Sequence, residues 1–433
     1  MTLDPYNAFL HREEQEAVLT VPGTVKTLHT PTNAGAVLTV PGTVNSWRVA
    51  VKDVIDVAGM PTTAASKILD RVPERDAECV ARLRAAGATV VGKLNTHEFA
   101  FGALTNSPHF GPARNPWDLE RTTGGSSGGS GAAVAAGLVD LALGTDTAGS
   151  IRIPAAFCGV TGHRPTVGLV PTEGVVPVAW TLDTVGPLAR TAEECRRAVE
   201  VMAGRRLEPE RDVRRVGIVT RLFEDADPDV AAACEEAARS LPGRHEPVEL
   251  PLLDEISTIA QLVMLPEAAA AHLGWLRTCL ADYGADVRAR LLAGLLLPST
   301  AYLAGRRARS WARSLWEREL GGFDLLVAPA MPIVAPCLDA IPDDYRLLIM
   351  PYNSPAALLG LPVTVVPCGF VDGLPVGLAL MGRAGEDGVT LAAAHAFQQA
   401  TDWHERRPVD VTSGEVLYTT DTAEYLYTTD TAE

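Results

Sequence analysis

The chain has 433 residues, of which 47% are hydrophobic and 21% are charged, a composition typical of a folded globular protein with one large domain or two modest ones. The 53 Asp and Glu residues outnumber the 37 Lys and Arg residues, and the formal net charge is −16. Nucleic acids and anionic membrane surfaces need a cationic partner, so this balance argues against both. Four of the basic residues are lysines: Lys26, Lys52, Lys67 and Lys93.

Targeting and redox features favour a cytoplasmic location. The seven cysteines are scattered and form no C-x-x-C pair, which argues against a disulfide framework or a zinc site. The N-terminal segment lacks the basic and apolar regions of a secretory signal. No run reaches the ~18 apolar residues that a membrane helix requires.

The predicted elements of the first 150 residues alternate between strands and helices. Residues 47–57 (WRVAVKDVIDV) are β-branched and predict a strand, and 76–87 predict a helix that ends near a glycine. Residues 88–95 predict a short buried strand, 131–139 a helix, and 139–146 another strand. This alternation favours an α/β sheet.

The remainder of the chain divides by composition. Residues 204–320 are rich in Arg, Glu, Ala and Leu at helical spacing and predict a helical insertion, after which 323–336 and 360–370 predict strands. No linker is evident, so we expect a single domain over 1–410, with a disordered or artefactual tail at 411–433.

Two short duplications interrupt this pattern. AVLTVPGTV occurs at 17–25 and 36–44, and LYTTDTAE occurs at 417–424 and 426–433. Neither has the copy number of a solenoid repeat.

The segment 121–165 is the richest in candidate chemistry, because it contains the turns GGSSGGSG and GTDTAGS. A phosphate-binding loop is disfavoured because no Lys follows the glycines, and a dinucleotide loop or nucleophile elbow is disfavoured because no buried strand precedes them. The sequence His97-Glu98 lacks the second His of a zinc hydrolase motif.

The second turn is better suited to nucleophilic catalysis. A predicted strand ends at Gly144, and a short loop then carries Ser150 to the start of a helical turn. The backbone N–H groups of Thr147, Ala148, Gly149 and Ser150 are expected to converge on an oxyanion beside that serine.

A serine nucleophile also needs a base, and Lys52 is the better candidate than any of the nine histidines. It lies within an apolar predicted strand, where burial lowers the pKa of an ammonium group and leaves a neutral amine. On local sequence alone, pairing of Lys52 with Asp53 or Asp56 remains the alternative.

The chain resembles the amidase signature family in VKDVIDVAGMPTTAAS, GATVVGKLNTHEFAFG and FGPARNPWD, in the long Gly/Ser-rich segment, and in GLPVTVVPCG and GLPVGLALMG. The resemblance is dense over about 47–190 and looser over 323–410. It implies an α/β fold with a central mixed β-sheet covered by helices on both faces.

The family's Ser–cis-Ser–Lys triad implies roles for three residues here: Ser150 as the nucleophile, Ser126 as the proton relay and Lys52 as the base. The resemblance needs no cofactor or metal. Where many members have Gly-Gly-Ser, this chain has Ala148-Gly149-Ser150, and Ala148 is strained if that position requires a positive φ.

Further residues are assigned around the triad. We expect Ser127, Asp146 and Arg152 to support the catalytic loop. The candidate substrate-binding residues are Phe99, Gly125, Trp180 and Tyr352, within a pocket formed by 97–110, 176–182 and the helical middle third.

These features predict an amidase that hydrolyses a small carboxamide to a carboxylic acid and ammonia or an amine. The expected partner is this small-molecule amide, with a homodimer as the candidate assembly. Three alternatives stay open: a subunit of a tRNA-dependent amidotransferase that supplies ammonia to a partner, a carbamoyl-type hydrolase acting on allophanate- or biuret-like substrates, and a catalytically silent scaffold.

Overall fold

A computed structural model describes residues 4–13, 44, 46–209 and 211–409. The duplicated segments and the expected tail lie outside these residues, except for Val44, the last residue of the second AVLTVPGTV copy. Within the described ranges, no helix has both the length and the apolar character needed to cross a membrane.

The described residues form fifteen strands and twelve α-helices. The strands are β1 (Phe9–Arg12), β2 (Arg48–Lys52), β3 (Thr89–Leu94), β4 (Asn106–Ser107), β5 (Gly111–Pro112), β6 (Arg114–Asn115), β7 (Asp118–Thr122), β8 (Leu141–Asp146), β9 (Thr161–Arg164), β10 (Thr184–Ala189), β11 (Arg215–Val219), β12 (Arg244–Val248), β13 (Leu325–Pro329), β14 (Val363–Val371) and β15 (Leu374–Met381). The helices are α1 (Glu78–Ala85), α2 (Gly128–Ala135), α3 (Arg152–Cys158), α4 (Ala192–Ala203), α5 (Thr220–Glu224), α6 (Pro228–Arg239), α7 (Leu253–Ala271), α8 (Leu273–Thr278), α9 (Ala285–Leu296), α10 (Ser299–Leu320), α11 (Tyr345–Leu359) and α12 (Asp387–Ala400).

Eleven of the described strands form one mixed sheet in the order β1-β3-β2-β8-β10-β9-β14-β15-β13-β11-β12. β2 pairs in parallel with both β3 and β8, and β11 pairs in parallel with β12 and β13. The strands from β8 through β10, β9, β14 and β15 to β13 pair antiparallel. The predicted α/β fold with a central mixed sheet is therefore confirmed.

Both faces of the sheet are buried. Successive side chains of a strand point to opposite faces, and in β15 Ala379 and Met381 pack into one apolar cluster while Leu378 and Leu380 pack into another. Helix α3 covers the first face, and α6 and α12 contribute to the second. The core is built largely from Ala, Val and Leu side chains, which allows helices and strands to approach closely.

The region 204–320 is not wholly helical. Strands β11 and β12 extend one edge of the main sheet, and only the helices from α7 onward pack chiefly on one another and on α11. The two strands are five residues each, and the surrounding Arg- and Glu-rich helical sequence concealed them. Their parallel pairing, across the intervening helices α5 and α6, is a long-range contact that local periodicity does not indicate.

The other predicted elements differ mainly at their ends. The first predicted strand stops at Lys52, where the chain turns, rather than continuing to Val57. Helix α2 begins at Gly128, inside the glycine-rich run, instead of at Gly131. Strand β8 begins at Leu141, two residues after the start of the predicted strand 139–146, and ends with it at Asp146.

Candidate active site

Lys52 ends β2 and is fully buried. Its Nζ lies 2.7 Å from Ser126 Oγ and 2.8 Å from Thr145 Oγ1. Burial lowers the pKa of Lys52 from 10.5 to about 7, while the nearby carboxylates of Asp146 and Asp183 act in the opposite direction. A lysine with this pKa is part neutral and part protonated at neutral pH, as proton exchange requires.

Ser126 is held by the turn that precedes α2. The Gly125–Ser126 peptide bond is cis. The Ser126 carbonyl accepts hydrogen bonds from Thr96 Oγ1 at 2.8 Å, from the His97 N–H at 3.1 Å and from Thr105 Oγ1 at 3.1 Å. These contacts leave the Ser126 hydroxyl directed at Lys52.

The glycines of this turn are required by close packing. A Cβ on Gly125 would lie 2.5 Å from the Leu104 nitrogen, and one on Gly128 would lie 2.2 Å from Thr123 Oγ1. The Gly/Ser-rich sequence therefore forms a densely packed turn and helix start here, whereas such composition in isolation is typical of a flexible linker.

Ser150 lies between β8 and α3, in the turn that Asp146 organises. The Asp146 carboxylate accepts hydrogen bonds from the N–H groups of Gly149 and Ile151 at 2.8 and 3.2 Å. It also contacts Arg152 Nε at 3.0 Å and Arg164 Nη1 at 2.8 Å. Burial raises the pKa of Asp146, but the two guanidinium groups outweigh it and hold the pKa well below its usual range.

Three of the four predicted oxyanion donors remain available. The Gly149 N–H is engaged by Asp146, while the N–H groups of Thr147, Ala148 and Ser150 donate no hydrogen bond to any of the described residues. Gly149 has φ +112°, a region that favours glycine. Ala148 has no positive φ, so the expected condition for strain at this position does not arise.

The supporting residues connect the two serine turns. The Ser127 N–H donates to the Ser150 carbonyl at 3.1 Å, and Ser127 Oγ donates to the Thr145 carbonyl at 3.2 Å. Arg152 Nη2 donates to the Asn353 carbonyl at 3.1 Å. Within the described residues, no hydrogen bond joins the Ser126 and Ser150 hydroxyls.

Ser150 lines a half-open cavity with about 620 Å³ of empty space, part of which is open solvent. Its described lining combines the turns at Gly125 and Ser150 with one stretch after β3, one residue before β10, and helices α3, α7, α9 and α11. The lining residues are Ala100, Phe101, Gly102, Ala103, Gly125, Thr147, Ala148, Ser150, Ile153, Val178, Ser257, Ala260, Gln261, Met264, Arg290, Arg346, Ile349, Met350 and Ser354. The expected contribution of the middle third comes from α7 and α9.

Of the four predicted substrate-binding residues, Gly125 lines this cavity and the other three lie elsewhere. Phe99 is buried in an aromatic cluster, with ring centroids 4.6 Å from His272 and 5.3 Å from Trp275. Trp180 is 52% exposed. The Tyr352 hydroxyl is buried and donates to the Leu222 carbonyl at 2.9 Å.

Sequence reasoning missed Thr145, Arg290 and Arg346. Thr145 immediately precedes Asp146 in β8, so its place in the Gly-Thr-Asp motif was an available indication. No local pattern marked the two arginines among the 33 of the chain.

The other buried lysine and the nearest histidine have structural partners. Lys93 Nζ lies 2.8 Å from Asp53 Oδ1 and 2.9 Å from Thr62 Oγ1. Lys93 thereby takes the Asp53 contact that was the alternative for Lys52. His163 is buried between Thr364 and Asp387.

Comparison with known proteins finds relatives that match most of the chain. The family model described as Amidase matches residues 48–391. The chain is 39% identical over 411 residues to a subunit of the Glutamyl-tRNA(Gln) amidotransferase of Roseiflexus castenholzii, covering 83% of each chain.

Solved structures show the same relationship. A crystal structure of an amidase superposes with a TM-score of 0.79 at 35% identity, covering 82% of this chain and 85% of that one. The corresponding Glutamyl-tRNA(Gln) amidotransferase subunit from Thermotoga maritima superposes with a TM-score of 0.73 at 34% identity, covering 82% and 84%. These matches, together with the fold, show that the chain is an enzyme with hydrolase or amidotransferase activity on C–N bonds and belongs to the amidase signature family.

Proposed function

We propose that this protein hydrolyses a small carboxamide to a carboxylic acid and ammonia or an amine through an acyl-enzyme on Ser150. The observation that carries the proposal is the 2.7 Å contact between the buried Lys52 amine and the Ser126 hydroxyl, behind a cavity that Ser150 lines. No carboxylate of the described residues contacts Lys52, and a buried lysine that is hydrogen-bonded to a serine in this way is suited to proton transfer.

The reaction begins when Ser150 Oγ attacks the amide carbonyl carbon. The Ser150 proton passes to Ser126 Oγ, and the Ser126 proton passes to neutral Lys52 Nζ. The step requires the two serine hydroxyls to come within hydrogen-bond reach when the substrate binds, and catalytic hydrogen bonds commonly tighten in this way.

The oxyanion is stabilised by the N–H groups of Thr147, Ala148 and Ser150. Protonated Lys52 then returns a proton through Ser126 to the nitrogen of the leaving group, and the C–N bond breaks. Water attacks the acyl-enzyme by the same relay and releases the acid. The donors cost no reorganisation because Asp146 already holds their turn in place.

A screen of amides for ammonia or amine release tests this function. The panel contains aryl, indole-type, aliphatic and carbamoyl-type amides, so that the allophanate- and biuret-like alternative is included. Ser150→Ala should reduce turnover of any substrate found by roughly 10³-fold or more. The matched control is Ser310→Ala, which removes an exposed hydroxyl on α10. Wild-type turnover in Ser150→Ala would contradict the assignment.

The second candidate function is that of an amidotransferase subunit, and the 39% identity to the Glutamyl-tRNA(Gln) amidotransferase subunit of Roseiflexus castenholzii supports it. The same triad would then release ammonia from glutamine for a partner protein. Glutamine in the panel, assayed with the protein alone and after co-purification, separates the two functions. Release from simple amides by the isolated chain favours the amidase, and release that requires a co-purified protein favours the amidotransferase.

A further inference from the structure

The cavity is cationic although the chain as a whole carries a net charge of −16. Two arginines, Arg290 on α9 and Arg346 on α11, are among its described lining residues, and that lining includes no Asp or Glu. Both side chains are partly shielded from solvent. Because a partly desolvated charge without a counterion is unfavourable, two guanidinium groups in one cavity indicate a ligand that supplies negative charge.

Arg290 is held in a fixed orientation. Its Nη2 lies 2.7 Å from Asp286 Oδ2, and its guanidinium lies 4.6 Å from the centre of the Phe101 ring. The same Asp286 oxygen lies 2.8 Å from His97 Nε2. These contacts fix the guanidinium at the cavity wall before any substrate enters.

Arg346 has no hydrogen-bond or ion-pair partner in the part of the chain that the structure describes. Burial and the neighbouring charge of Arg346 lower the pKa of Arg290 to about 9 despite Asp286. Both guanidinium groups remain protonated at neutral pH, so a single carboxylate, Asp286, faces two positive charges. One positive charge is left for a ligand.

Helix α11 places the Arg346 charge at a distance from Ser150, the proposed nucleophile. The Asn353 side chain lies against Gly149, because a Cβ there would be 2.4 Å from Asn353 Oδ1. Arg346 precedes Asn353 by seven residues, which is ~10 Å along a helix axis. Phe101, Ile349 and other apolar residues also line the cavity. They suit a substrate whose amide and charged group are joined by an apolar chain.

We propose that the substrate is an acid amide, a carboxamide whose far end carries a carboxylate that Arg346 binds beside Arg290. This inference rests on the proposed function and names the substrate class of the same site. A planar guanidinium donates to a carboxylate in bidentate geometry, which gives both affinity and orientation.

Matched pairs of substrates test the inference. Each pair consists of two separate substrates: the monoamide of a dicarboxylic acid of four to eight carbons, and the diamide of the same acid. We expect kcat/KM to favour the acid by roughly 10-fold or more at the best length, as a charged hydrogen bond implies. A wild-type enzyme that hydrolyses the diamides equally well or better overturns the inference and leaves the proposed function intact.

Arg346→Met should lower kcat/KM for the monoamide by roughly 10- to 100-fold, mainly through KM, and bring the acid-to-neutral ratio close to one. Arg346→Lys should recover part of the preference. The control is Arg288→Met, two residues from Arg290 on α9 and outside the cavity lining, which should keep the wild-type ratio. An unchanged preference in Arg346→Met overturns the assignment.

A binding measurement is independent of turnover. Adipic acid monoamide, titrated calorimetrically into Ser150→Ala, should bind at least 10-fold more tightly than into the Ser150→Ala/Arg346→Met double variant. Arg346-dependent binding in a protein that hydrolyses no amide would refute the proposed function and support the anion site. Equal affinity for both variants, or no binding, would overturn the anion site.

Discussion

Activity should fall below about pH 7, because the proposed relay requires the neutral form of Lys52 and burial lowers the pKa of Lys52 to about 7. With that pKa, about one tenth of the molecules hold neutral Lys52 at pH 6 and about one hundredth at pH 5. A lysine at its ordinary pKa would leave a neutral fraction at pH 7 lower by a factor on the order of a thousand. We therefore expect kcat/KM to rise tenfold per pH unit up to about 7 and then level off.

The assay measures kcat/KM, which reports the free enzyme, from pH 5 to 9.5 at constant ionic strength. Lys52→Arg should lose roughly 10²- to 10⁴-fold at every pH, because arginine does not release its proton. Lys67→Arg, an exposed lysine, is the control. A flat profile would refute Lys52 as the base, and a tenfold rise per unit that continues beyond pH 9 would refute the lowered pKa of Lys52.

Asp183 provides a way to identify the group that causes the acid limb of the profile, which is the fall of kcat/KM below about pH 7. Burial raises the pKa of Asp183 to about 6, against the hydrogen bonds from Thr147 and two backbone N–H groups, so it also titrates in this range. Its negative charge raises the pKa of Lys52. Asp183→Asn should therefore move the limb to lower pH. If the limb belonged to Asp183 itself, the substitution would abolish it.

Three further substitutions test the packing of individual buried groups. Gly149→Ala should reduce turnover strongly, since the new Cβ would lie 2.4 Å from Asn353 Oδ1 at a φ of +112°; kcat is the measurement. Lys93→Met should lower the free energy of unfolding by about 3–5 kcal/mol in urea, because it leaves the buried Asp53 carboxylate without its ion-pair partner. Tyr352→Phe should cost about 1 kcal/mol, for the lost hydrogen bond, and leave KM unchanged because Tyr352 does not line the cavity.

One control variant separates backbone strain from steric conflict at Gly149, and another separates the loss of a buried ion pair from the loss of an exposed one. Gly59→Ala also introduces a side chain at positive φ, +79°, but with no heavy atom within 4 Å, so it isolates backbone strain from the steric conflict at Gly149. Lys67→Met removes an ion pair that is about half exposed and should cost no more than about 1 kcal/mol. An equal loss of stability in the two lysine variants would contradict the reasoning about burial, and equal kcat in Gly149→Ala and wild type would contradict the reasoning about the turn.

Local sequence was sufficient to predict turns and short buried strands, because their conformation depends mainly on neighbouring residues. Ser126 and Ser150 each lie in a turn whose glycines are needed for close packing or positive φ. The local pattern indicated Ser150, whereas Ser126 was assigned from the resemblance to the family. The buried strands around them were predicted because short apolar, β-branched runs are a strong local pattern. The predicted ends were less accurate, as at Lys52 and Gly128, because an element stops where its packing partners stop.

The sequence alone therefore determined the α/β class, the family and the residue types of the candidate triad. The tertiary structure decided which lysine meets Ser126. Lys52 lies 74 positions before that serine, and the pairing of Lys93 with Asp53 removes the local alternative. It also decided that Gly149 donates to Asp146, and that Arg290 and Arg346 share one cavity. Contacts between distant segments depend on the order of the strands in the sheet and on how α7, α9 and α11 pack above the site. The periodicity of residues along the chain indicates neither.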